Sequence, residues 1–441
     1  MRVLGLGARV DLRGLYLTLA REGHEVRVHV SDPIYAAAPD GLVQAVPDWR
    51  AELDWVGKGR DASGVVLFER VGQGALQDEL RAEGYQVVGG SALGDRLEYD
   101  RAFGQEALRE AGLPVAPSHA FEDAAAAAEW LGRNPGRFVL KHFNNARATF
   151  VGDHQAGDDV RYRLRRQAEL GEPGGRVLLM ERIEGVEVGV GAYFDGERFL
   201  LPACIDFEHK RFFPGEIGEM TGEMGTLASY EGAERLFEAL LAPLAPRLRA
   251  AGHVGYLNVN AIANERGLWP LEFTCRFGNP GYAVLAALQP DGWGDLIGRM
   301  ARGGSERFAA LPGWSVGIVL TIPPFPGEDW GATAADNPPV FFHAAPGGED
   351  AAHYHFADLR RVDGQLHAHK RTGNAMVVTG IGTDVRAAQA AAAARARNVV
   401  IPELRWRADI GERYLAGEEA RLRALGWLPP APPRLQLASG G

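Results

Sequence analysis

Within the first ~95 residues, strand-like and helix-like patterns alternate in a way that leaves few architectures open. Residues 2–6 are a short apolar strand, residues 12–22 follow a helical period, and residues 25–30 return to a strand pattern. Residues 64–67 and 86–88 repeat the strand signal, with a helical stretch at 75–83 between them. Such alternation predicts a parallel sheet joined by right-handed crossovers. The turn Gly5-Leu6-Gly7-Ala8-Arg9-Val10 holds two glycines of a dinucleotide fingerprint and lacks the third. It is therefore expected to be a tight strand-to-helix turn rather than a nicotinamide site.

Beyond this unit the pattern changes. A helix is expected over 100–111, stopped by Gly112-Leu113-Pro114, and an alanine-rich helix over 124–131. Strands are expected over 137–141, 177–181 and 186–194, then a long amphipathic helix over 233–250. Residues 255–263 and 267–273 read as a hairpin. A third unit is expected from near Trp314, with strands over 315–322 and 375–378, a turn at 380–382 and a helix over 387–398. The tail from Pro429, with Pro430, Pro432 and Pro433, is expected to be disordered. At 441 residues the chain has room for about three domains of ~100–200 residues each.

The net charge of −10 argues against a general nucleic-acid-binding surface, though it leaves room for a local phosphate pocket. Cys204 and Cys275 are the only cysteines, which excludes a disulfide framework or a thiolate zinc site. The N-terminus enters a strand pattern directly and no apolar run reaches the ~18 residues of a membrane span. A cytoplasmic protein without membrane contact is the expectation.

The residues with most chemical content lie in the middle. Leu271-Glu272-Phe273-Thr274-Cys275-Arg276-Phe277-Gly278-Asn279-Pro280 ends an apolar strand with a carboxylate, a hydroxyl and a guanidinium at alternate positions. Strand alternation sends the three to one face, where a carboxylate can hold a divalent cation and an arginine can grip phosphate or carboxylate oxygens. A surface ion pair would give the same pattern. Lys141 ends a strand where a buried base would face a cleft, although lysines at strand ends commonly snorkel to water. Residues 178–187 pass from an apolar strand into a connector with acids at Glu181, Glu184 and Glu187. Such a connector can meet a nucleotide base or simply be solvated. Glu208-His209-Lys210-Arg211 precedes four glycines in residues 215–225, which predicts a flexible loop able to approach an anion.

In this order the pieces resemble the glycinamide ribonucleotide synthetase (phosphoribosylamine–glycine ligase) family of the ATP-grasp superfamily. Leu97-Glu98-Tyr99-Asp100-Arg101-Ala102-Phe103 resembles the helix opening the family's ATP-grasp unit. Glu208-His209-Lys210-Arg211 is similar to its Asp-His-Lys-Arg, and Thr221-Gly222-Glu223-Met224-Gly225 to its Thr-Gly-Gly-Met-Gly. Residues 272–280 are similar to its Glu-Phe-Asn-x-Arg-Phe-Gly-Asp-Pro. Residues 378–382 and 407–411 resemble its C-terminal domain.

The resemblance implies an α/β and α+β multidomain chain. It would have a Rossmann-like N-terminal domain (1–95), an ATP-grasp core (96–310, with a lid at about 115–185), a small C-terminal α/β domain (311–425) and a tail (426–441). It implies a ligase of purine biosynthesis that uses ATP and Mg²⁺ (or Mn²⁺) to join a carboxylate, expected to be glycine, to an amine through an acyl phosphate. The molecule would be a monomer or dimer. Carried over by position, Arg101 and Lys141 would hold nucleotide phosphates. Glu181 and the Arg182–Ile183 backbone would take adenine, and Glu187 the ribose. Glu272 and Thr274 would ligate the metal, while Arg276 and Lys210 would act at the reacting centre, with the glycine loop closing over it.

The departures from the family pattern are specific. The N-terminal Gly-Gly-Arg-Glu-His-Ala turn is here Gly7-Ala8-Arg9-Val10-Asp11-Leu12. The glycine-rich phosphate loop is replaced by Asn144-Asn145-Ala146-Arg147-Ala148-Thr149-Phe150, in which Arg147 could restore a charge. Arg101 replaces a lysine, Thr274 an asparagine, Asn279 an aspartate and Gly281 a glutamate. Asn260 could add an amide oxygen to the metal site or be an ordinary strand polar residue. A diverged ligase for a different carboxylate or amine, and an inactive nucleotide-binding relative, are the alternatives these departures raise.

Overall fold

The computed structural model describes residues 1–36, 41–59, 63–142, 145–170 and 175–430. The expectation for the tail beyond 430, the residue Asn144, and the side-chain role considered for Arg147 lie outside the described residues.

The N-terminal unit is a five-stranded parallel sheet in the order β3-β2-β1-β4-β5, built from β1 (Arg2–Gly7), β2 (Glu25–Val30), β3 (Gln44–Ala45), β4 (Gly64–Phe68) and β5 (Val87–Val88). Helices Arg13–Arg21 and Gly74–Ala82 supply crossovers. Val65, Val66, Leu67 and Phe68 of β4 are fully buried, as a strand covered on both faces requires.

A second sheet holds β6 (Ser118–Phe121), β7 (Phe138–His142), β8 (Asn145–Val151) and β9 (Val177–Glu181) in the antiparallel order β6-β9-β7-β8. Helices Ala124–Arg133 and Asp158–Glu169 cover one face, burying Ala127, Leu131, Val160 and Leu164 against Leu140 and Leu179. Asp123 caps the first of these helices by accepting from the Ala126 N–H at 2.8 Å. Because side chains alternate, the other face of β7 and β9 carries Val139, Lys141, Leu178 and Met180.

The largest sheet has eight strands. β10 (Val186–Asp195), β11 (Phe199–Phe213), β12 (Ile217–Ser229), β13 (Val254–Asn264), β14 (Gly267–Thr274) and β15 (Trp314–Thr321) are joined by strands Asn374–Gly382 and Tyr354–Phe356. The order is β14-β13-β10-β11-β12-β15, then Asn374–Gly382, then Tyr354–Phe356. The strands expected to open a third unit therefore extend the sheet of the middle unit without a break, and residues 380–382 are the end of a strand rather than a turn.

Two further expectations change. The glycine-rich segment 215–225 is not a flexible loop: most of it is β12, paired with β11 from Phe213↔Ile217 to Ile205↔Ser229. Backbone pairing along the 15-residue β11 overrides the freedom of the glycines, leaving only the turn around Gly215. The helix expected over 233–250 is broken into Glu234–Leu240, a short 3₁₀ turn Ala242–Leu244 and Ala245–Ala250. Pro243 and Pro246 remove backbone donors there. The helix expected over 100–111 is Arg101–Glu110, and a separate helix Ala92–Tyr99, which the sequence reading missed, precedes it.

Candidate active site

Strand alternation assembles the site on one face of the large sheet. The antiparallel register places Glu272 opposite Asn260 and Thr274 opposite Asn258. Asn260 and Asn258 are in turn opposite Gly189 and Gly191 of β10, and Gly189 is opposite Asp206 of β11. Asp206 and Glu208 sit across from Ala228 and Thr226 of β12. Gly189 is required by this packing: a Cβ there would overlap the Asp206 carboxylate and come within 2.7 Å of Asn260 Oδ1.

Lys210 is the hub. Its Nζ lies 2.9 Å from Glu187 Oε1, 3.0 Å from Glu208 Oε2 and 3.3 Å from Glu272 Oε1. Arg101 donates from Nη1 to Glu272 Oε2 at 2.6 Å, held at the first turn of a helix that Asp100 caps through the Phe103 N–H. Burial alone would raise the Glu272 carboxyl, but Lys210, Arg101 and Lys141 outweigh it and hold the group well below the usual carboxylate range. Burial would likewise lower Lys210, yet Glu187, Glu208 and Glu272 keep its ammonium charged.

Lys141 approaches from the second sheet. It is 6% exposed, and burial pushes its ammonium down to about 8, with Glu272 acting in the opposite sense. On the same side, Ala116, Leu178, Met180 and Ile183 pack with Val139, Ile262 and Trp269 into an apolar seam between the two sheets. A flat base and a phosphate chain need this pairing of apolar wall and cation. Glu181 and Arg182 are fastened at the seam's edge by their own N–H groups, to the Pro117 carbonyl at 2.8 Å and the Arg137 carbonyl at 3.0 Å. The Arg182 side chain turns away to Gly152 O and Asp153.

Arg101, Lys141, Glu187, Lys210 and Glu272 are thus brought together, and Thr274 lies on the same face as Glu272. Arg276 is placed differently from the strand reading: β14 stops at Thr274, so Arg276 lies past the alternation. Its Nε donates to Glu98 Oε1 at 3.1 Å, and Glu98 Oε2 accepts from the Cys275 N–H at 2.7 Å. Asp206, Glu208, Asn258 and Glu98 were not expected as site residues. The signal for the first two was present, since Asp206, Glu208 and Lys210 fall at alternate positions of one strand.

On the opposite face of β11, His209 is buried and held down to about 3, first by burial and then by Arg413 and Arg407. Its Nε2 accepts from the Gly411 N–H at 3.1 Å. Arg407, fully buried, binds Asp409 at 2.8 Å and Glu216 at 2.6 Å and donates to the Arg211 carbonyl at 2.7 Å. This pins the β11–β12 hairpin to the C-terminal segment.

Among the described residues no group of three His, Cys, Asp or Glu is arranged as a ready metal nest. The donor set nonetheless fits a cation beside phosphates: three carboxylates converge on one ammonium, and Mg²⁺ typically takes one or two carboxylates plus substrate oxygens.

Residues 99–282 match the family model described as "Phosphoribosylglycinamide synthetase, ATP-grasp (A) domain". The phosphoribosylamine–glycine ligase of Caulobacter vibrioides is 26% identical over 395 residues, covering 87% of this chain and 88% of that protein. That of Phenylobacterium zucineum is 29% identical over 359 residues, covering 77% and 81%. Among solved structures, the phosphoribosylamine–glycine ligase of Thermotoga maritima superposes with a TM-score of 0.71 at 19% identity, covering 93% of this chain and all of that one. The biotin carboxylase domain of a Hydrogenobacter thermophilus 2-oxoglutarate carboxylase, solved with MgADP, gives 0.62 at 12% identity, covering 91% of each. The fold and the site define an ATP-grasp protein. Residues 99–282 thus match the ATP-grasp domain of the phosphoribosylglycinamide synthetase model, and over most of its length the chain is similar to phosphoribosylamine–glycine ligases.

Proposed function

We propose that the chain is an ATP-dependent carbon–nitrogen ligase of the phosphoribosylamine–glycine ligase type. The observation that carries this reading is the convergence of Arg101, Lys141 and Lys210 on Glu272, beside the apolar seam. On this reading residues 1–95 form the N-terminal domain, 96–310 the ATP-grasp unit and 311–425 a C-terminal unit that extends its sheet.

The roles follow from charge and placement. The seam around Met180 and Ile183, with the connector of Glu181 and Arg182, receives adenine, and Glu187 lies where a ribose hydroxyl would replace its contact with Lys210. Lys141 and Arg101 neutralise phosphate oxygens. A divalent cation held by Glu272, with Thr274 beside it, would supply further charge neutralisation at those oxygens. The terminal phosphoryl group passes to the substrate carboxylate to form an acyl phosphate. The amine then attacks the acyl carbon and phosphate departs. Lys210 and Arg276 are the cations proposed to stabilise charge at this centre. Glycine and phosphoribosylamine, the substrates in the relatives' name, are the pair to try first.

The test is ADP release by the purified protein with Mg²⁺-ATP and glycine, with and without phosphoribosylamine, with products weighed by mass spectrometry. ADP formation that requires a carboxylate and an amine supports the ligase. ATP binding without ADP under every pairing would overturn it.

A second reading, a ligase with a different amine, is favoured by the N-terminal turn. At its edge Arg9 is paired with Glu328 at 3.2 Å and Arg70 with Asp11, while the buried Glu69 accepts from the Asp11 N–H at 2.9 Å. In a parallel sheet this crevice is where a ligand binds, and here its arginines are already answered by acids.

A further inference from the structure

Next to Glu208 on the large sheet is a pocket that shares Thr274 with the chemistry above and is otherwise unused by it. Its polar side is Asp206, Glu208, Glu223, Thr226, Asn258 and Thr274, and the rest of its wall is largely apolar. Asp206 is 7% exposed and Thr226 2%. Asn258 Nδ2 donates to Asp206 Oδ2 at 2.6 Å. Asp206 Oδ1, Glu223 Oε1 and Thr226 Oγ1 are buried without a hydrogen-bond partner among the described residues. Glu208 differs, because Lys210 and Asn260 answer it at 3.0 and 3.2 Å. Glu223 stands where the motif it resembles has its second glycine. Burial, and then the charge of Glu208, pushes Asp206 up to about 8, and burial followed by Glu208 and Asp206 raises Glu223 well above the usual range.

Buried carboxylates left without donors are costly. With no cation beside them Asp206 and Glu223 are held towards the neutral acid; a phosphate would hold them there more strongly, and a sugar hydroxyl would bring no charge to restore the carboxylates. An ammonium group brings three N–H donors and a positive charge. Its donors match Asp206 Oδ1, Glu223 Oε1 and Thr226 Oγ1.

We propose that Asp206, Glu223 and Thr226 form a subsite for an aliphatic ammonium group, so that the amine substrate of this chain is a diamine-like compound without phosphate. The inference rests on the second reading, a ligase with a different amine, and narrows that amine. One amino group attacks the acyl phosphate near Lys210 and Glu272. A carbon–nitrogen bond forms and the bond from acyl carbon to phosphate oxygen breaks. The attacking nitrogen gives its proton to the departing phosphate. The second amino group stays protonated, anchored between Asp206 and Glu223.

The probe is 1,4-diaminobutane, titrated calorimetrically into the full-length protein beside n-butylamine and phosphoethanolamine. The expected result is diamine binding at least tenfold tighter than n-butylamine, with phosphoethanolamine silent. In the near-isosteric variants Glu223→Gln and Asp206→Asn, diamine affinity should fall tenfold or more while ATP affinity and melting temperature hold. No diamine binding to protein that binds ATP, or equal binding by wild type and both variants, overturns the subsite. ATP binding and ADP release, measured on the same samples, report separately on the ligase reading.

Discussion

At the scale of single residues, the site depends on how each charge is compensated. Glu272 is held ionised by Lys210, Arg101 and Lys141, so removing it takes the carboxylate from Arg101 and Lys141, while Lys210 keeps Glu187 and Glu208. Glu272→Ala is expected to lower ADP formation by about 10²–10³-fold or more, and to lower the melting temperature as well, because the buried Lys141 loses the carboxylate that answers it. Full turnover in that variant would remove Glu272 from the centre. Gly189 makes the opposite kind of contribution, through what it lacks. Gly189→Ala would drive a methyl into Asp206 and Asn260, an overpacking of about 1–3 kcal/mol. Denaturant unfolding should show that loss, and an unchanged midpoint would mean the two side chains can move aside.

At the scale of elements, the β11–β12 hairpin carries Asp206, Glu208, Lys210 and Glu223 on one strand pair, so its docking sets the geometry of the centre. Arg407 fastens it through Glu216, Asp409 and the Arg211 carbonyl. Arg407→Met would leave those acids facing each other beside a buried cavity, and breaking a buried pair of this kind costs about 3–5 kcal/mol. The check is the urea midpoint, read together with the KM for ATP. A displaced hairpin should raise that KM as well as lower stability. A hairpin that stays in register would lower stability alone.

At the scale of the whole molecule, buried groups with shifted proton affinity set the pH range of stability. Glu69 is pushed up to about 8, first by burial and then by Asp11. Its folded-state value lies above the unfolded one. The folded chain therefore holds that proton more tightly, and the stability it confers is lost as pH rises through about 8. Glu69→Gln should lessen this loss, to which Asp206, also pushed up to about 8, contributes in the same sense, as thermal melts from pH 6 to 9 would show. A parallel decline in both proteins would exclude Glu69 as its source. His209, His253 and His355 act on the acid side. Burial first holds each down to about 3, so the unfolded chain takes up protons below about 6.5 and these residues destabilise the fold as pH falls. Between about 4.5 and 6.5 the two effects oppose each other, which places the expected maximum of stability near the top of that window.

Alternation of apolar residues and the strand–helix order in residues 2–88 made the parallel sheet legible, because such strands are covered on both faces and need a continuous apolar run. The same local periodicity placed β9 and the hairpin of β13 and β14 within a residue of their ends. Lys141 and Glu272 stood out because each sits at or near the end of an apolar strand, and Lys210 because it belongs to the Glu208-His209-Lys210-Arg211 cluster ahead of a glycine-rich segment. What sequence alone could not supply was long-range register. Only the pairing of four strands put Asp206, Asn258 and Gly189 on one face with Glu272, and only the end of β14 took Arg276 out of the alternation and set it against Glu98. The glycines of 215–225 read as a loop because conformational freedom is a local property, whereas the 15-residue partner strand that orders them is not. Local chemistry determined which segments could be strand, helix or turn; contacts between distant parts of the chain, such as Arg101 with Glu272, decided which charges meet, since burial and pairing act through space and leave no fixed spacing in the chain.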